Sequence, residues 1–168
     1  FLNNQYSVPE EYVGSFVIVK SYAYQIKIYA DNKNEPVAIH KRSYEKGQWI
    51  IDVYHFLNTF SRKPGAFTIS TAFKQAPELL KELFENHFLS NQKGFIELMI
   101  YAKKNNITLK EIELVIDKLL KITTKPITTD MIMISIDREK QVIDEQIVTD
   151  IDKIAATQIC EYNELLNI

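Results

Sequence analysis

The chain has a single cysteine, Cys160, so no internal disulfide can form and the pattern fits a reducing, cytosolic setting. It has only four glycines and no apolar run long enough to span a bilayer, which argues against a low-complexity chain and a membrane protein. No leader of the secretory type opens it. It also lacks an excess of positive charge: the formal net charge is −2, so any nucleic-acid contact must rest on a local patch. No phosphate loop, dinucleotide fingerprint, or Ser-His-Asp or Cys-His order is visible. His40, His55 and His87 have no metal-ligand spacing with Cys160 or with one another, and no metal or cofactor is expected. Asp137, Glu139, Asp144 and Glu145 lack the glycine and ligand order of a calcium loop and read as a solvated acidic stretch.

What the chain does have is apolar residues, 46% of 168, enough for a real core. Their spacing divides the chain. Over 1–53 they alternate. Phe16, Ile18 and Lys20 take one side of a strand, and Val17, Val19 and Ser21 the other. Tyr24, Ile26 and Ile28 oppose Gln25 and Lys27, and Val37 and Ile39 alternate with Ala38 and His40. Turn clusters at residues 31–34 and 45–48 separate these strands, and Trp49 to Ile51 form a last short one, with Trp49 expected in the core. Short strands at this spacing predict a small closed β-barrel of about five strands, since a lone sheet would leave two edges open.

Residues 54–76 read as a basic linker with a short helix around Phe56 and Leu57. From 77 to 168 the period becomes helical. Pro77 suits a first helical position. Leu79, Leu80, Leu83, Phe84 and Phe88 form one stripe; Phe95, Leu98, Met99 and Ala102 form a second. Thr108 and Glu111 have the spacing of a capping box ahead of Ile112, Val115, Ile116, Leu119 and Leu120, and Pro126 ends that helix. Met131 to Ile136 fits helix and strand equally. Ile147, Ile151, Ile154, Ala155, Ile159, Tyr162 and Leu166 predict a long final amphipathic helix, with Cys160 as an inert small hydrophobe on its buried side. The fold class is α+β.

Charge is distributed unevenly. Between Lys41 and Lys63, five cations (Lys41, Arg42, Lys46, Arg62 and Lys63) face two carboxylates, a local charge of +3. From Pro126 onward three cations face nine carboxylates, a local charge of −6 that suits a protein partner or solvent. The basic middle is thus the candidate phosphate site. A solvated basic edge that merely discourages strand pairing accounts for the same residues, and Pro64-Gly65 can be a turn with exposed neighbours.

Tyr6-Ser7-Val8-Pro9 and Tyr12-Val13-Gly14 lead into a strand pair, followed by His40-Lys41-Arg42 and then Arg62-Lys63-Pro64-Gly65-Ala66. In order and spacing, from Phe1 to about Lys121, this resembles the C-terminal part of IstA-type transposases, the larger proteins of bacterial insertion elements that also encode a helper ATPase. The resemblance implies a piece of a longer DDE-type recombinase whose RNase H-like catalytic domain lies upstream, outside this chain. It implies a non-catalytic role here: a barrel and helices that bind element-end DNA and hold the transposase assembly together, in the bacterial cytoplasm at the nucleoid. On that basis Lys41, Arg42, Lys46, Arg62 and Lys63 are the expected DNA contacts. A second transposase subunit and the helper ATPase are the expected protein partners. The rival expectation is a protein-interaction module that recruits either of them without touching DNA.

Overall fold

A computed structural model describes residues 1–142 apart from Asn32. The final amphipathic stripe from Ile147, together with Asp144, Glu145 and Cys160, lies outside the described residues. The chain divides into two compact units, the second beginning at Lys110.

The first unit opens with five strands: β1 (Gln5–Tyr6), β2 (Val17–Ser21), β3 (Gln25–Ala30), β4 (Ala38–Lys41) and β5 (Trp49–Ile50). β2, β3 and β4 form an antiparallel sheet in that order, while β1 and β5 pair with each other in parallel. The α+β class holds, and among the described residues the number of strands is the expected one but no closed barrel forms. The reason is length. β1 and β5 are two residues each, too short to carry a ladder from the β4 edge round to β2. β4 itself stops at Lys41; Arg42 makes one more bond, N–H to Tyr24 O at 3.0 Å, and the chain then turns away.

Alternation decides the faces. β3 buries Ile26, Ile28 and Ala30. Register then carries Ala38 and His40 inward, because they stand opposite Ile28 and Ile26. Ile26, Ile28 and Ala38 form the inner cluster, with Tyr6, Val8, Val17 and Val37 packed on it. Two side chains differ from expectation. Tyr24 belongs by parity with Ile26 and Ile28, yet it falls in the β2–β3 hairpin and is 85% exposed. Trp49, expected in the core, is 58% exposed. In a two-residue strand only one side chain can face inward, and Ile50 is the more buried of the two. β5 is held instead through its backbone: the Gln75 amide donates to Trp49 O at 2.7 Å and accepts from Ile51 N at 2.8 Å.

Four α-helices follow in the first unit: α1 (Leu57–Arg62), α2 (Thr71–Lys74), α3 (Glu78–His87) and α4 (Gln92–Lys104). Pro77 is the N-cap of α3, one position earlier than expected. Of the first predicted stripe Leu80, Leu83, Phe84 and Phe88 are buried and Leu79 only half-buried; of the second, Phe95, Leu98, Met99 and Ala102 are all buried. Residues 54–76 supply Phe60, Phe67, Ala72 and Phe73 to the same core. Phe67 is fully buried, with ring centroids of Phe60, Phe73, Phe84 and Phe95 at 4.8–5.8 Å. Tilted and edge-on aromatic contacts of this kind add to the area they bury.

In the second unit α5 (Leu109–Ile122) follows Thr108, with Glu111 in its first turn, where a capping box places them. It buries Ile112, Val115 and Ile116. Leu120, expected in that stripe, is exposed. Residues 129–142 are helical, which settles the ambiguous stretch: Ile132 and Ile136, four apart, are its buried positions. Lys118 ties the two helices by an ion pair to Glu139 at 2.9 Å.

Candidate nucleic-acid interface

The three-stranded sheet has an inner face that is buried along β3 and β4, with Val17 of β2 partly buried beside them, and an outer face that is not core. Opposed residues on neighbouring strands share a face. Register therefore places Ile18 and Lys20 of β2, Lys27 and Tyr29 of β3, and Ile39 and Lys41 of β4 together on the outer side. Lys20 stands directly across from Lys27. Lys41 lies across from Gln25, one pleat along the strand from Lys27. None of the three strands contains an aspartate or glutamate, so the face carries three ammonium groups with no carboxylate among them.

Where a carboxylate would stand there are rings. The Lys20 ammonium lies 4.5 Å from the centroid of Tyr29, and Lys27 lies 5.5 Å from that of Tyr22. Beyond β4 the Arg42 guanidinium sits 4.6 Å over Tyr44, and beyond β3 Lys33 sits 5.1 Å over Tyr12. The Tyr12 hydroxyl also accepts a bond from Lys33, which holds that ammonium above its usual pKa. The pairs connect. Lys33, Lys20 and Tyr29 line one shallow depression of about 360 Å³ together with Ile18, Ala30 and Asn34. Lys27 adjoins Lys20 in register, and Arg42 donates to the backbone oxygen of Tyr22 at 3.0 Å.

The expected contact residues divide accordingly. Lys41 is exposed on this face, at the end of β4, while His40 points inward. Arg42 is half-buried, and its guanidinium is engaged by Tyr22 O and the Tyr44 ring, so it braces the hairpin as much as it offers charge. Lys46 is exposed in the turn before β5. Arg62 and Lys63 are exposed at the end of α1, where Arg62 also complements the helix C-terminus. Lys20 and Lys27 were not among the expected contacts. For Lys27 the signal was present in the alternation, which sets it opposite Ile26 and Ile28; Lys20 shares its side with Phe16 and Ile18, and only its register with Lys27 assigns it to the outer face.

Beneath the sheet lies a polar cluster. The Ser7 hydroxyl is 2.7 Å from Nδ1 of His55 and accepts the Asp52 N–H at 2.9 Å. Ser7 O accepts from Nε2 of His40 at 2.6 Å. A carbonyl can only accept, so His40 carries its proton on Nε2. The two imidazoles meet edge-on at 5.5 Å. Burial pushes His55 down to about 4, with Asp52 opposing and the charges of His40 and Lys103 adding. Serine, histidine and aspartate are thus adjacent, but His55 Nε2 is 3.8 Å from the Asp52 carboxylate, beyond hydrogen-bond reach. The other carboxylate oxygen caps Tyr54 N. The cluster is a fastener joining β1, β4 and the turn after β5. Among the described residues no group of three or more His, Cys, Asp or Glu side chains is placed to hold a metal ion. No described helix is long and apolar enough to cross a membrane.

The strand module is similar to a known family. Residues 1–52 match the Mu transposase C-terminal domain. The match covers all five strands and supports a transposase C-terminal region with a role related to transposition. No curated protein and no solved structure matches the chain.

Proposed function

We propose that this chain is the non-catalytic DNA-binding and assembly region of an IstA-type bacterial transposase, and that the outer sheet face is its DNA-contacting surface. One observation carries the reading: three strands with no carboxylate set Lys20, Lys27 and Lys41 side by side, interleaved with tyrosines. Lys and Arg neutralise phosphates and release counterions, so such a face grips DNA with little regard for sequence and with strong salt dependence. Lys46, Arg62 and Lys63 are further phosphate contacts, and Arg42 supports the hairpin edge. The site of action is the element end, in the bacterial cytoplasm at the nucleoid. The RNase H-like catalytic domain belongs to the remainder of the transposase.

The test is binding of the chain to element-end DNA across a salt series. The expected result is a steep decline of log affinity with log salt, made shallower by Lys20→Ala with Lys27→Ala. Salt-independent binding, or none at low salt, sinks the reading.

A further inference from the structure

The outer sheet face is built for more than phosphate. Four cations each lie over a tyrosine ring within the stretch from Tyr12 to Tyr44. Significant contacts of this kind occur roughly once per 70–80 residues in folded proteins. The local density is therefore several times the ordinary one. It is not a by-product of core packing, because Tyr22 and Tyr44 are exposed and Tyr29 lies on the outer face of β3. Further rings stand around the face: Tyr24 at the hairpin and Phe16 before β2, which is 93% exposed.

The side of an intact duplex has little use for these rings. It presents phosphates and sugars, while the faces of its bases are already stacked on one another. Exposed tyrosines recover their apolar area only against a base that has left the stack, a contact worth about 1–3 kcal/mol per base. A ring with a lysine ammonium over it matches the two parts of one nucleotide: the flexible lysine swings off to the phosphate, and the ring face it leaves takes the base. On this sheet such pairs repeat in sequence, from Lys33 and Tyr12 through Lys20 and Tyr29 to Lys27 and Tyr22.

From this we infer that the outer face of the β2–β3–β4 sheet takes an unpaired DNA strand in preference to intact duplex, with Tyr29 and Tyr22 stacking on bases and Lys20 and Lys27 on the phosphates. The inference rests on the reading that this face binds DNA. A cut or frayed element end presents such a strand.

The experiment compares binding of the full chain to a fluorescent single strand, to the matching blunt duplex, and to that duplex bearing an unpaired tail. The expected result is tighter binding to the single strand and the tailed duplex than to the blunt duplex. Tyr29→Leu should weaken single-strand binding about fivefold or more, the equivalent of one stacked base, and weaken blunt-duplex binding clearly less. Tyr29→Phe, which keeps the ring, should restore it. Lys20→Ala with Lys27→Ala should weaken binding to all three. Melting curves of each variant confirm that it folds, and Tyr22→Leu at an exposed position provides a second ring removal if Tyr29→Leu does not. Blunt duplex bound as tightly as single strand, with ring removal neutral, overturns the inference and leaves the DNA-binding reading standing. No binding to any of the three DNAs at low salt overturns both.

Discussion

The Ser7 hydroxyl lies 2.7 Å from Nδ1 of His55, 48 residues further along the chain, and the same serine's carbonyl accepts the Nε2 proton of His40. One residue thus fastens the end of β1 to the sheet on one side and to the start of the helical part on the other. The imidazoles are buried and 5.5 Å apart. Acid is the natural probe of this joint. Burial lowers His55 to about 4 from the ordinary histidine value of 6.5. Between those values the unfolded chain binds a proton that the folded one refuses, so stability rises with pH there. The contribution is fully present above about 6.5, is lost progressively as pH falls towards 4, and changes no further below that. Urea denaturation across pH 4 to 8, comparing the parent chain with His55→Gln, should show a shallower slope for the variant. Equal slopes would remove His55 from the acid response.

Phe67 is the centre of the aromatic core, fully buried among four other phenylalanines. Phe67→Ala removes that packing and leaves a cavity, so a destabilisation of about 3–5 kcal/mol is expected from chemical denaturation. Phe67→Leu should cost less. A change under about 1 kcal/mol for the alanine variant would mean that the region around 54–76 is not part of the cooperative core.

α1 has no side-chain cap from its own N-terminal residue, Phe56. Glu10 supplies one from a distance, accepting Asn58 N at 2.8 Å through one oxygen and the Thr59 hydroxyl through the other. A carboxylate there also suits the positive end of the helix. Glu10→Ala should therefore destabilise the chain by about 1 kcal/mol, read as a lower melting temperature at neutral pH. Glu10→Gln, which keeps an acceptor, should be milder. An unchanged melting temperature for both would show that Glu10 contributes nothing in solution.

The two basic regions can be separated by the salt dependence of binding. Removing one lysine or arginine that neutralises a phosphate should flatten the slope of log affinity against log salt by about 0.9 on duplex and about 0.7 on single strands. Lys20→Ala with Lys27→Ala is expected to change the slope on both DNAs. Arg62→Ala with Lys63→Ala, at the end of α1, is expected to change it uniformly across sequences with an unaltered melting curve. If only the second pair moves the slope, the DNA path runs over the helical part and the sheet face is free for another use.

Local periodicity was enough to place the inner face of β3, both apolar stripes of α3 and α4, and the start of α5 after Thr108, because each depends on neighbours a few residues apart. The interface was half legible. The parity of Lys20 and Lys27 is written in their own strands, but parity does not say which strand lies beside which. The three-stranded order and its register did that, bringing Lys20 across from Lys27 and setting Lys41 one pleat away. Tertiary structure also decided that β1 pairs with β5 across more than forty residues, that Trp49 faces outward, and that His40 and His55 share Ser7. The physical reason is common to all three. Each is a competition among partners distant in sequence, settled by the total burial and hydrogen bonding of the assembled core. No residue's own propensity, and no short window of the chain, contains that comparison.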